Sequence, residues 1–239
     1  MTQNKTTALL SLAAALSISG AAQAEGLYGT AMLGLGYQDS ASAAYGNNIA
    51  VDPDFPAEFS INDSKVGALG IGYDMGNNFR VEGRLGFRNA HFDSQEFGTG
   101  ARAGEEYVLN GAIKSTTLTV EGFYDIPTGT AFTPYLKAGL GVTRNTYSAR
   151  LGGAGVAAFD PFDGAADGYY DAYADQTKTE FTWNVGAGAS YAVSDKVSLF
   201  GEYQYVALGD ASTGQDSFTD GFGVDVAAHE ILVGLRASF

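Results

Sequence analysis

The chain has 239 residues, 13 Lys+Arg against 27 Asp+Glu, a net charge of −14 and no cysteine. That balance excludes a nucleic-acid binder, whose phosphate partners demand a basic face, and the missing thiols exclude a disulfide framework and thiolate chemistry. Glycine is abundant at 33 and proline rare at 5, which with the aromatic content is a composition of strands and turns rather than of helices or disorder.

The first element does not belong to the fold. Lys5 supplies a short positive segment, residues 8–18 an apolar run rich in Ala and Leu, and Ala22-Gln23-Ala24 an A-x-A cleavage pattern before Glu25. These three parts in this order predict a secretory signal peptide over 1–24; the apolar run is too short for a membrane-spanning helix, which needs about 20 residues. Its removal leaves one 215-residue domain, 25–239, with a net charge of −15.

From there the chain repeats one pattern, segments of about ten residues alternating in polarity with period two, as barrel strands do. Eight are predicted: Leu27–Tyr37, Lys65–Tyr73, Phe79–Arg88, Thr116–Ile126, Phe132–Arg144, Thr179–Tyr191, Val197–Ala207 and Ala228–Phe239. Three connections are short and carry turn residues: 74–78 with Gly76-Asn77, 127–131 with Pro127 and Gly129, and 192–196 with Ser194-Asp195. Four are long: 38–64, 89–115, 145–178 and 208–227; the second and third are long enough to extend as hairpins above the membrane, which leaves ten strands as the alternative to eight. Long and short alternate strictly, the arrangement of short periplasmic turns and long outer loops.

The two faces of each segment separate. In the third, Phe79, Val81, Leu85 and Phe87 lie opposite Arg80, Glu82, Arg84 and Arg88. Turning the arginines to lipid would cost about 2–4 kcal/mol each at the midplane, so the charged row faces the lumen. Aromatics gather near the strand ends as interface girdles: Tyr73, Phe79, Tyr124, Phe132 and Tyr191 at the periplasmic side, and Tyr37, Phe87, Phe181, Trp183 and Tyr205 at the outer side.

The last segment ends on Phe239, and counting back by twos gives Ala237, Leu235, Val233 and Ile231, an apolar outward row. That row with its terminal Phe239 resembles the sorting signal of outer-membrane barrels, which implies recognition by the barrel-assembly machinery. The stretch from Phe132 to Val142 resembles the fifth strand of the OmpA/OmpX-like, opacity-protein-type small barrels, and 188–193 and 201–205 resemble their sixth and seventh. The likeness covers nearly the whole domain. The expectation is therefore an all-β, eight-stranded antiparallel up-and-down transmembrane β-barrel in the outer membrane. No wall-tethering domain is expected after Phe239.

Eight strands enclose an interior that side chains can fill. Counting up from the turns places Arg84, Glu121, Lys137, Glu202 and Glu230 near one level and Arg80, Asp125 and Arg236 nearer the periplasm; with Glu82 and Arg88 they form a predicted ion-pair network that plugs the lumen, because buried charges must be paired. OmpA-type barrels carry lumenal carboxylates and bases proposed to act as a gate. Glu202 matches that pattern, whereas Ser190 stands where a carboxylate would be expected and Phe200 where an arginine would; Lys137 and Arg84 are the bases that could substitute in a gate of that kind, and the expectation is a static plug.

Three functions follow in rank: a plugged structural anchor that displays its loops for surface interactions; a narrow porin-like channel for small solutes or ions; and a lipid-modifying enzyme. The last needs a base, for which only His91 and His229 exist, and no nucleophile motif accompanies either; the expectation is no enzyme. The long connections hold 18 of the 27 acidic residues, a solvated, repelling surface. Asp160, Asp163 and Asp167 are oxygen-rich and turn-rich, but their spacing fits neither an EF-hand nor a nonapeptide repeat, so no metal and no cofactor are expected. Expected partners are outer-membrane lipid and lipopolysaccharide, the assembly machinery, and an extracellular partner of the acidic loops.

Overall fold

A computed structural model describes residues 26–38, 44–45, 63–153, 169–170, 175–214 and 222–239; the signal segment 1–24 and Asp160, Asp163 and Asp167 lie outside them. Eight long strands are described: β1 Leu27–Gln38, β2 Ser64–Asp74, β3 Phe79–Phe97, β4 Glu106–Asp125, β5 Phe132–Gly152, β6 Gln176–Ala192, β7 Val197–Ser212 and β8 Phe222–Ser238. Each pairs antiparallel with the next, and β8 returns to β1 from Tyr28↔Ser238 to Gln38↔Ala228. Closure pairs every long strand on both sides, which a chain in lipid requires because no water can satisfy an open edge.

The short turns are built by local chemistry. Between β2 and β3, Gly76 and Asn78 take positive φ of 72° and 67°, and the Asp74 carboxylate accepts from the Gly76 amide at 2.9 Å, an Asx turn. Between β6 and β7, the Ser194 hydroxyl oxygen accepts from the Val197 amide at 3.2 Å.

The strands run further outward than the periodicity placed them. The predicted loop 89–115 is mostly sheet: β3 and β4 stay in register from Asn89↔Lys114 to Phe97↔Glu106, with a 3₁₀ turn at Gly100–Arg102 near the tip. Similarly β5 runs to Gly152, β7 to Ser212, and β8 starts at Phe222. A tilted strand needs only about 9–11 residues to cross a bilayer, whereas β3, β4 and β5 have 19, 20 and 21. About half of each therefore stands clear of the membrane as an overhang.

Parity is constant along β3, β4 and β5, but polarity inverts. In the membrane zone the outer face is apolar: Leu33, Leu69, Leu118, Leu140 and Val233 are all exposed. In the overhang of β3 the outward residues are His91, Asp93 and Gln95, while Ala90 and Phe92 are buried inside.

Candidate functional site

The lumen is the one place where the fold concentrates charge, and it does so in layers. Arg80 lies nearest the periplasm and grips Asp125 with two parallel bonds, Nε–Oδ2 at 2.7 Å and Nη2–Oδ1 at 2.8 Å. This fork geometry is the strong form of an ion pair. Arg80 also donates to the Tyr28 hydroxyl at 3.4 Å and stacks 4.4 Å from the centroid of Phe123.

The middle layer holds Arg84, Lys137, Glu82, Glu121 and Glu202, all buried. Arg84 reaches three carboxylates, Glu82 at 2.9 Å, Glu121 at 3.0 Å and Glu202 at 2.9 Å. Lys137 bridges Glu121 and Glu202, both at 2.8 Å, and donates to Gln204 at 2.6 Å. Neutral groups add further donors: Thr30 donates to Glu82 at 3.1 Å, Tyr135 to Glu202 at 3.1 Å, and Asn184 to Glu121 at 3.2 Å, while Glu82 Oε2 is buried without a hydrogen-bond partner among the described residues. Close approach of these large groups depends on glycines facing inward: a Cβ on Gly70 would meet Glu82 Oε1 at 2.3 Å, and one on Gly188 the Tyr135 ring at 2.5 Å.

Above this layer Arg88 forks both oxygens of Glu230 and donates to Thr117 at 3.0 Å, while Gln204 donates to Glu230. Glu230 thus belongs one level higher than counting from the turns suggested. Arg236 makes no ion pair among the described residues; it lies 5.7 Å from the Tyr28 ring, across a small void from Glu82. The charges nevertheless balance. The middle layer has three carboxylates to two bases, and the periplasmic layer two bases, Arg80 and Arg236, to Asp125.

Two voids flank the middle layer, each about 10 Å³, on the order of one water. Further out the interior is filled by an apolar cluster that includes Phe92, Tyr107, Leu109, Ile113, Tyr147 and Leu208. This second plug was not anticipated; its signal was the alternation continuing past Arg88 with its sense inverted. A buried polar strut crosses it. Gly209 takes φ 71° where β7 bulges against β8, and Asn145 of β5 donates to the freed carbonyls of Leu208 and Asp210 at 2.9 and 3.1 Å, held in turn by the Ser115 hydroxyl at 2.6 Å.

The remaining sequence-derived residues take separate places. Ser190 and Phe200 face inward, and Ser190 donates to the Thr133 carbonyl at 3.4 Å. Ile231, Val233, Leu235 and Phe239 are exposed on the outer wall. His229 joins the outer girdle, sharing a 2.6 Å hydrogen bond with the Tyr203 hydroxyl and packing on Tyr205, which packs on Trp183. His91 faces outward above the membrane zone in a depression that also contains Ser148 and Asp175. Ser148 directs its hydroxyl to the Ala112 carbonyl at 3.5 Å, and β4 stands between it and His91. In the overhang Asp225 opposes Asp210 across β7 and β8, and the hydrogen bond with Asp210 raises the Asp225 carboxyl above its ordinary range.

Comparison with known proteins agrees with this geometry. Residues 7–239 match the family described as outer membrane protein beta-barrel domain. The outer membrane protein PagN of Salmonella typhimurium is 26% identical over 189 residues, covering 72% of each chain. Among solved structures, the outer membrane protein OprG from Pseudomonas aeruginosa superposes with a TM-score of 0.61 at 18% identity, over 90% of this chain and 96% of that one. Neisserial surface protein A superposes with a TM-score of 0.52 at 17% identity, over 90% and 97%.

Proposed function

Since the chain belongs to the outer membrane protein β-barrel domain family and resides in the outer membrane, we propose that it is a closed barrel for surface display: a plugged anchor whose overhang and acidic loops meet a partner outside the cell. The observation that carries this reading is the filled lumen. Among the described residues, a charged plug in the membrane zone and an apolar plug above it fill the interior, and the two voids that flank the middle layer are each water-sized. An ion crossing that interior would have to part with its hydration among apolar side chains, at the large cost of an unpaired charge in a dry medium.

A lipid-directed enzyme is disfavoured because His229 is engaged with the Tyr203 hydroxyl, and β4 stands between His91 and Ser148. The outward row ending at Phe239 fits delivery to the barrel-assembly machinery. The test is single-channel recording of the refolded protein in a planar bilayer. No discrete conductance is expected; a steady, ion-selective conductance in the wild-type protein would overturn the closed barrel in favour of a channel.

A further inference from the structure

The outer wall formed by β3, β4 and β5 is tiered in a way that the filled lumen does not explain. Its register gives successive outward rows. Leu85, Leu118 and Val142 form an apolar row, all exposed. The next outward positions hold Arg144, and then Lys114, with Lys65 reached across Asn89. Lys65, Lys114 and Arg144 are exposed and make no ion pair among the described residues. Above them is a depression of about 390 Å³, floored by Ala112 and Ser148 and rimmed by the polar groups of His91, Asn110, Arg150 and Asp175.

We propose that this wall seats a phosphorylated glycolipid of the outer leaflet, with acyl chains on the apolar row, phosphates on Lys65, Lys114 and Arg144, and the first sugars in the depression. The charge distribution argues for it. The mature chain is at −15 and its predicted loops are acidic, so an anionic headgroup is repelled almost everywhere above the membrane. The lumenal bases are all turned inward. Cations left on the outer wall collect on β2, β4 and β5, just above the apolar band, while β6, β7 and β8, beginning with Trp183 beside Leu140 of β5, carry the aromatics Trp183, Tyr205 and His229 at the outer border. Lys65 and Lys114 stand two strands apart, roughly 10 Å, and long basic side chains reach up from an apolar surface with their heads in the polar zone. A small-residue floor leaves room for a sugar ring, and its rim offers both donors and acceptors. The proposal depends on residence in the outer membrane and not on whether the lumen is closed.

The test uses the refolded full-length mature barrel in detergent micelles. The probes are an acylated glucosamine disaccharide bisphosphate, its dephosphorylated form, and phosphatidylglycerol, with binding read by native mass spectrometry and by titration of Trp183 fluorescence. The bisphosphate glycolipid should bind at least ten-fold more tightly than either of the others. Lys65→Gln/Lys114→Gln/Arg144→Gln should lose that ten-fold preference, while Lys65→Arg/Lys114→Arg, which keeps the charges, and Lys196→Gln in a periplasmic turn should retain it. Heat-dependent gel mobility verifies that each variant is a closed barrel. The proposal is overturned if the triple Gln variant binds as the wild type does, or if phosphatidylglycerol binds as tightly as the glycolipid; the latter would mean adsorption of any anionic headgroup.

Discussion

Replacing Arg84 with Met removes one cation from among three buried carboxylates while keeping most of the side-chain volume. Arg84 lies within 3.0 Å of Glu82, Glu121 and Glu202, with a side chain 6% exposed. Lys137 remains to serve Glu121 and Glu202, so Glu82 loses its basic partner and the layer's formal charge goes from −1 to −2. Breaking a buried pair by removing one partner costs about 3–5 kcal/mol. A ceiling of about 4 kcal/mol at pH 7 comes from proton uptake, since neutralising a carboxyl of ordinary pKa costs about 1.4 kcal/mol per pH unit above it. The expected loss is therefore about 3–4 kcal/mol at pH 7, shrinking by more than half at pH 5. Equilibrium urea unfolding in lipid vesicles, followed by the single Trp183 at the outer girdle, measures it. Adding Glu202→Gln to Arg84→Met restores the layer to −1 and should recover at least 1 kcal/mol. A loss below about 1 kcal/mol for the single variant, or a double variant less stable still, would refute the reasoning that the layer is held together by charge balance.

The same unfolding assay checks three further outcomes. Asn145→Ala strands the Leu208 and Asp210 carbonyls at the bulge and should cost about 1–3 kcal/mol; a neutral result would mean the bulge needs no strut. Gly70→Ala drives a Cβ into Glu82 and Thr30 and should cost about 1–3 kcal/mol by overpacking, whereas Gly83→Ala, whose Cβ would meet nothing closer than 3.9 Å, should be nearly silent. Asp225 is raised by its hydrogen bond with Asp210, so its contribution to stability is present below the ordinary carboxylate range and lost as pH rises through the raised value. Asp210→Asn should therefore stabilise the barrel at neutral pH by a few tenths of a kcal/mol, as befits an exposed, salt-screened pair, and flatten its stability between pH 4 and 7; a variant less stable at pH 7 would show that the two carboxylates do not oppose each other.

Strand number, facing and closure were legible because period two leaves no freedom: once Arg80, Glu82, Arg84 and Arg88 are barred from lipid, the parity of β3 is set, and its partners follow by register. The lumenal charges were legible for the same reason. What could not be read was how they divide into layers, because that depends on the stagger between strands; Glu230 proved to be the partner of Arg88, and Arg236 makes no ion pair among the described residues. Phe123, which packs under Arg80 and Arg84 at 4.4 and 5.7 Å, was missed because an inward aromatic looks like an exception to the polar row. The overhang was legible only as the possibility that 89–115 and 145–178 extend as hairpins above the membrane, and its extent was hidden for a deeper reason. The strand template of a membrane barrel is apolar outside, and beyond Asn89, Ser115 and Asn145 that template fails although the strands continue.

The inversion at that level explains why the two plugs differ in kind. In lipid the outer wall must be apolar, and turning apolar groups inward gains little there because no water is left behind; the inside is free to be polar but must then pair its charges, which it does with forked arginines and shared carboxylates. Above the lipid the wall must face water, so burial of Phe92, Tyr107, Leu109, Ile113 and Tyr147 contributes the hydrophobic term that the lower half lacks, roughly 1.5–3 kcal/mol for each large side chain. The overhang is then a water-soluble sheet stacked on a membrane-soluble barrel and built from the same strands, in unbroken register between β3 and β4 from Phe79↔Tyr124 to Phe97↔Glu106 and shifted at the bulge between β7 and β8. A stalk of this kind carries the turn at Gly100–Arg102 well beyond the lipid surface, a geometry suited to contact with another surface.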